Sequence, residues 1–267
     1  QQRSSGWQSA TRRPAAVQPD VAAAVAPPAQ PAAGEAPTVR SRHPRKTIRP
    51  HSSSSPTHSV RLPTEERDQR GSDTVARIGI FGGTFDPIHH GHLIVAEVMM
   101  EELGLDRVLF LPAGQPPHKL DRVITPAFHR LTMLQLALQD NPHFALSFVD
   151  VERPGPCYTV DSLAILRQEY PDDELFFLMG EDSLRDLPTW REPNRIAEQA
   201  LLAVALRPNV EVDLEAVFTA VPAARDRVVL VQVPLIQIAA SDIRRRVAEG
   251  RTIRYQVPRP VEQYIER

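Results

Sequence analysis

Two histidines three residues apart, with a glycine between them, close the stretch Gly79-Ile80-Phe81-Gly82-Gly83-Thr84-Phe85-Asp86-Pro87-Ile88-His89-His90-Gly91-His92. Ahead of them, Gly82 and Gly83 allow a backbone to approach a ligand with no Cβ in the way. Behind them, an apolar period through Leu93, Ala96, Val98 and Leu103 reads as a helix. A strand-loop-helix turn of this kind presents backbone N–H groups and the positive end of a helix dipole, which suits a phosphate. His89 and His92 can both face that phosphate and donate hydrogen bonds, more strongly if protonated beside an anion. Metal ligation and simple surface packing are the competing readings of two nearby histidines. Zinc would want a third protein ligand, and no Cys or clustered His supplies one locally. The spacing matches neither the Gly-x-Gly-x-x-Gly dinucleotide fingerprint nor the P-loop, which requires Gly-Lys-Ser/Thr.

The elements needed to hold such a turn are legible downstream. Short apolar runs at 77–81, 107–111, 144–148, 174–179, 201–206 and 227–231 read as strands. Between them lie helical periods at 93–103, 128–138, 160–169 and 243–249. Nearly continuous apolar strands are expected when helices cover both faces of a parallel sheet. The reading is therefore an α/β fold, doubly wound and Rossmann-like, with a mostly parallel sheet and no internal repeat.

Composition divides the chain of 267 residues in two. Of its 26 prolines, 10 lie before residue 76, in a stretch whose sole aromatic residue is Trp7. Residues 1–75 hold 11 Lys+Arg against 6 Asp+Glu, whereas the remainder is net acidic. Their Pro/Ala-rich part is followed by a basic cluster (Arg40, Arg42, Arg45, Lys46, Arg49) and a serine run. Such a segment cannot bury enough apolar surface to offset its ordering entropy, so it is expected to be a disordered extension with no partner named for it. The working domain is then 76–267, a normal size for one core. An acidic body argues against nucleic-acid binding, and no apolar run reaches the length of a membrane span. With one cysteine, Cys157, there is no internal disulfide, which fits a reducing cytoplasm.

The segment from Gly82 to His92 resembles the signature of the H-x-G-H nucleotidyltransferase superfamily, and specifically of the bacterial nicotinate-nucleotide adenylyltransferases. Further stretches carry the same resemblance: Pro116-Pro117-His118-Lys119, Tyr158-Thr159-Val160-Asp161, Gly180-Glu181-Asp182, Leu187-Pro188-Thr189-Trp190, the motif from Ile238 to Arg244, and Ile253-Arg254-Tyr255-Gln256-Val257-Pro258. Together they run in order over residues 77–266.

The resemblance implies adenylyl transfer from ATP to the 5′-phosphate of nicotinate mononucleotide, giving deamido-NAD and pyrophosphate in NAD biosynthesis. It assigns His89, His92 and Arg244 to catalysis. ATP would be met by Gly82, Gly83, Thr84, Phe85, His89, His92, Gly180, Asp182, Ile238, Ser241 and Arg244. Lys119, Tyr158, Thr159 and Trp190 would surround the acceptor. Several of these have structural rivals. Asp86, before Pro87, is read as fixing its turn; Asp182 can cap a helix; Lys119 can be a solvated lysine; Trp190 can be a core residue rather than a stacking plate for a pyridine ring.

One motif departs from the family pattern. Where Ile-Ser-Ser/Ala-Thr/Ser-x-Ile-Arg is usual, this chain has Ile238-Ala239-Ala240-Ser241-Asp242-Ile243-Arg244. The hydroxyl at 239 is missing, and one neutral hydrogen bond is worth about 1 kcal/mol, too little to remove function. Ser241 is expected to cap the following helix. ATP chemistry implies Mg²⁺ among phosphate oxygens, with no protein metal ligand named. The expected partners are ATP and nicotinate mononucleotide; a homo-oligomer stays open. Two alternatives also stay open: an enzyme acting on nicotinamide mononucleotide or another phosphorylated acceptor, and a nucleotide-binding scaffold without turnover.

Overall fold

The computed structural model describes residues 75–115, 124–207 and 212–267. The expected disordered extension at 1–75 therefore lies outside the described residues, save Val75, as does Lys119.

Six strands form one sheet: β1 (Arg77–Gly83), β2 (Arg107–Pro112), β3 (Phe144–Leu146), β4 (Glu174–Gly180), β5 (Leu201–Leu206) and β6 (Val228–Gln232). Their order is β3-β2-β1-β4-β5-β6, and every pairing is parallel. Alternation along the strands sends side chains into two separate cores. Ile78, Ile80, Leu109, Leu111, Leu175, Phe177, Leu202 and Val204 face one layer of helices. Val108, Phe110, Phe176, Leu178, Ala203 and Ala205 face the other. Each large apolar side chain buried this way contributes roughly 1.5–3 kcal/mol, so the sheet is held from both faces. This is the doubly wound α/β arrangement expected from the apolar runs.

The helices in chain order are α1 (His90–Leu103), α2 (Ala127–Leu138), α3 (Thr159–Glu169), α4 (Glu181–Asp186), α5 (Pro193–Gln199), α6 (Leu214–Ala220), α7 (Ala240–Ala248) and α8 (Arg259–Ile265). Three of these, α5, α6 and α8, are absent from the sequence expectation, and α4 enters it only as the helix that Asp182 could cap. Each is six or seven residues long, under two turns, and so shows no repeated period. Signals of another kind were present. Asp213 caps α6 by accepting from the Ala216 N–H at 3.0 Å, and α5 and α8 carry proline in their first turn.

Two boundaries differ in a way that matters for the site. Strand β1 runs through both glycines, pairing Gly82 with Leu111 and Gly83 with Pro112, so they end a strand rather than form a loop. Strand β3 spans three residues instead of the expected 144–148.

Successive crossovers run outward from β1 through β2 to β3, and on the other side from β4 through β5 to β6. The order thus reverses between β1 and β4, and the carboxyl ends of those two strands are where an open α/β sheet leaves a crevice.

Candidate active site

Strand β1 delivers the phosphate-loop candidates to that crevice. At its end, Gly83 lies over the Phe85 ring: a Cβ there would stand 2.8 Å from Phe85 Cζ. Phe85 itself has a left-handed backbone, φ 49°, and its side chain is buried among Phe81, Phe110 and His92. Of this residue, only the backbone is left to meet a ligand.

His89 is the N-cap of α1 and is buried; His92 is the third helical residue. Their rings stack with centroids 3.6 Å apart and planes 21° off parallel. The His89 backbone N–H donates to His92 Nδ1 at 3.3 Å, which leaves Nε2 as the protonated nitrogen of His92. His89 Nδ1 is buried and has no hydrogen-bond partner. Gly91 packs closely beneath this pair: a Cβ at that position would stand 3.0 Å from His89 Nδ1, tighter than ordinary van der Waals contact.

Both imidazoles are held neutral. Burial, helped by His90 nearby, lowers the His89 pKa to about 4. Burial, helped by His89, lowers that of His92 to about 3. The Phe81 and Phe85 rings packed edge-on to His92 are part of that apolar surrounding. Protonated imidazoles waiting for an anion are therefore not the state of the free protein. Nor are all the first N–H groups of α1 free, since that of His90 donates to the Gln256 carbonyl at 2.9 Å.

Helix α7 brings Arg244 to the same loop, where its Nη1 donates to the Asp86 carbonyl and lies 3.9 Å from the Asp86 carboxylate. The N-cap of α7 is Ala239, with no side chain to cap it. Ser241 sits inside the first turn and is exposed, so the expected capping role falls to it in no form. The hydroxyl missing at 239 is thus also a missing cap, a loss of about 1 kcal/mol. Asp86 is buried and holds the Thr125 N–H at 3.3 Å across the loop, a structural task reaching further than its own turn.

Two clefts open beside the end of β1. The first, about 280 Å³, is lined by Phe81, His89, Gly91, His92, Gly180, Asp182, Arg207 and Ile238, among others. The N-cap of α4 is Gly180, so Asp182 is a first-turn residue and not a cap. Its carboxylate faces Arg185 and Arg207, the latter at 3.2 Å. Glu181, almost fully buried, grips the Arg207 guanidinium and accepts its backbone N–H at 3.2 Å. Arg207 escaped the sequence reading because a lone arginine after a strand carries no local pattern.

The second cleft is larger, about 670 Å³, and its walls include Gly82, Gly83, Thr84, Asp150, Tyr158, Thr159, Ser162, Trp190 and Arg191. Tyr158 is the N-cap of α3 and Thr159 its first residue, while Trp190 ends the turn after α4. Trp190 packs edge-on to Phe177 with centroids 6.1 Å apart, so it is both anchored on the core and exposed to the cleft. Arg191 places its guanidinium 4.8 Å from the Tyr158 ring centroid. Ser162 donates to the buried Asp150 carboxylate at 2.6 Å. Neither Arg191 nor the Asp150–Ser162 pair stood out in the sequence.

The geometry thus gathers Gly82, Gly83, Thr84, His89, His92 and Arg244 around one loop. Gly180, Asp182 and Ile238 stand on one side, and Tyr158, Thr159 and Trp190 on the other. Among the described residues no group of three or more His, Cys, Asp or Glu could hold a metal ion, and no helix is long and apolar enough to cross a membrane.

Comparison with known proteins gives a consistent outcome. Residues 80–246 match the family model described as cytidylyltransferase-like. The chain is 79% identical over 193 residues to a probable nicotinate-nucleotide adenylyltransferase of Thermomicrobium roseum, spanning 72% of this chain and 90% of that one. Proteins of the same description from Roseiflexus sp. and Thermus thermophilus are 47% identical over 191 residues, covering 72% of this chain and 96% and 97% of theirs. Among solved structures, the nicotinic acid mononucleotide adenylyltransferase of Plasmodium falciparum complexed with NaAD superimposes with a TM-score of 0.59 at 20% identity. That match covers 72% of this chain and 95% of that one, and at this identity it speaks for the fold.

Proposed function

Because the chain belongs to the nicotinate-nucleotide adenylyltransferase family, we infer that it transfers the adenylyl group of ATP to the 5′-phosphate of nicotinate mononucleotide, forming deamido-NAD and pyrophosphate. The observation that carries this reading is the pair of clefts meeting at the end of β1, with the histidine pair in one and Gly82–Thr84 in the other.

An oxygen of the acceptor phosphate forms the new bond to the α-phosphorus, and the bond to the β-phosphate oxygen breaks with its electron pair leaving on pyrophosphate. A phosphate is already a competent nucleophile, so no covalent protein intermediate is needed. Catalysis then rests on alignment and on countering charge. His92 offers its Nε2–H, α1 its positive end, and Arg244 a guanidinium already on the loop. Polyanionic phosphates beside the two neutral imidazoles favour their protonated forms, so charge is gained when the ligand arrives and not before.

On the nucleotide side, Gly180, Asp182, Ile238 and Ser241 fall to ATP, with Asp182 as the acceptor for a ribose hydroxyl. The second cleft falls to the acceptor, with Tyr158, Thr159 and Trp190 around the pyridine ring. Arg191 adds a cation that favours a carboxylate over an amide there. Lys119 is kept as a further phosphate contact.

ATP enters as its Mg²⁺ complex. The donors facing the phosphate loop are imidazoles and N–H groups, and the carboxylates of Asp86 and Asp182 are turned to arginines. Among the described residues no oxygen cage for the ion is formed; we assign the ion to the triphosphate and no step to a protein-held metal. We assign the chemistry to residues 76–267 and a cytoplasmic location, in keeping with Cys157 as a free, buried thiol.

The test is competition of nicotinate and nicotinamide mononucleotide for one enzyme sample with pyrophosphate release as the readout. Strong preference for nicotinate is the expected result; equal use would defeat the acceptor assignment.

A further inference from the structure

We propose that Arg130 is a positioning residue for the acceptor cleft: one buried guanidinium fixes, relative to each other, the backbone segments that form the cleft's wall. The proposal rests on the second cleft being the acceptor site.

Arg130 lies on α2 and is 1% exposed, among the largest fully buried side chains of the described residues. All its nitrogens are spent on backbone carbonyls from three places in the chain. Nη1 donates to Thr84 at 2.9 Å, Nε to Thr125 at 2.9 Å, and Nη2 to Gly114 at 3.3 Å. Thr84 lines the acceptor cleft directly, as does Ala113, whose N–H donates to the Gly83 carbonyl at 2.8 Å. Gly114 lies flat against Asp150: a Cβ there would stand 2.2 Å from the Asp150 carbonyl oxygen. Asp150, in turn, is a cleft residue held by Ser162.

A buried cation needs compensation, and Asp86 provides it. Burial pulls the Arg130 pKa down while the Asp86 carboxylate opposes that shift. Asp86 also binds the Thr125 N–H, so Thr125 is held at both its carbonyl and its amide. Apolar packing alone would let these segments slide. The planar fork of a guanidinium fixes the directions of its donors, and lysine, a point charge on a flexible stem, cannot reproduce them.

The experiment is steady-state kinetics of full-length Arg130→Lys, which keeps the charge opposite Asp86 but loses the fork. Expected is a rise of about tenfold in the KM for nicotinate mononucleotide, with kcat and the KM for ATP within about twofold of wild type. An acceptor KM within about twofold of wild type, or equal rises in both KM values, would overturn the proposal. Should Arg130→Lys not fold, the Arg130 Nε–H resonance of the ¹⁵N-labelled wild-type protein decides. It is expected to shift on saturation with nicotinate mononucleotide and not with a non-hydrolysable ATP analogue; a signal indifferent to the acceptor overturns the proposal. Wild-type enzyme inactive on nicotinate mononucleotide would overturn the functional reading along with it, whereas active wild type with an unaffected variant overturns the Arg130 role alone.

Discussion

The two clefts beside β1 are built by different means. In the first, the walls are strand ends, the start of α1, and an ion network that the buried Glu181 anchors through Arg207. In the second, they are an aromatic plate, hydroxyls and an arginine standing over a tyrosine. Backbone N–H groups and dipoles do not discriminate between one phosphate and another, whereas an aromatic face beside a cation discriminates between rings and their substituents. In the proposed function, transfer chemistry is accordingly assigned to the shared loop and the first cleft, and choice of acceptor to the second.

That division can be broken experimentally. The largest effect is expected from His92→Ala, which removes a donor aimed at developing charge: kcat should fall by about 10²–10³ with the fold retained, as seen by circular dichroism. Undiminished kcat would remove the first cleft's claim to the transfer step. Next in size, Trp190→Ala should raise the acceptor KM roughly tenfold and leave the ATP KM unchanged. Equal changes in both would show that the clefts are not separate in function.

A third measurement is pH-dependent stability of the free protein. Both histidines have folded-state pKa values below the ordinary 6.5, at about 4 and about 3. Between those values and 6.5 the unfolded chain binds more protons, so stability should be full above about pH 6.5 and decline as the pH falls through the window toward 3. Denaturant unfolding of the double variant His89→Asn/His92→Asn should show a flatter dependence; parallel curves would sink the buried, neutral assignment. The smallest effect is expected from deleting residues 1–73, which should leave both KM values and kcat unchanged in the same assay, since the chemistry is assigned to 76–267.

How much of this was legible in the sequence follows the same division. The β1 to α1 turn could be read because its residues are contiguous: Gly82, Gly83, His89 and His92 sit within 11 positions. The six strands were legible because burial on both faces leaves apolar runs. Arg207, Glu181, Arg191 and Arg130 were not, because each acquires meaning from a partner distant in the chain. Arg130 is a helix residue with nothing around it in sequence to mark it, yet it reaches Thr84, 46 positions away. The Ser241 expectation failed for a local reason: α7 begins at Ala240, one turn ahead of where its apolar period starts, so Ala239 takes the capping position. The neutral state of the free histidines was hidden for a tertiary reason, since only the folded chain shows Phe81 and Phe85 packed on His92.

The hydrogen bond from the His90 N–H to the Gln256 carbonyl also ties the start of α1 to a segment far along the chain. A local opening of the stretch around Gln256 would therefore release the first helical N–H beside the histidine pair while the sheet, held by its own ladders, stays intact.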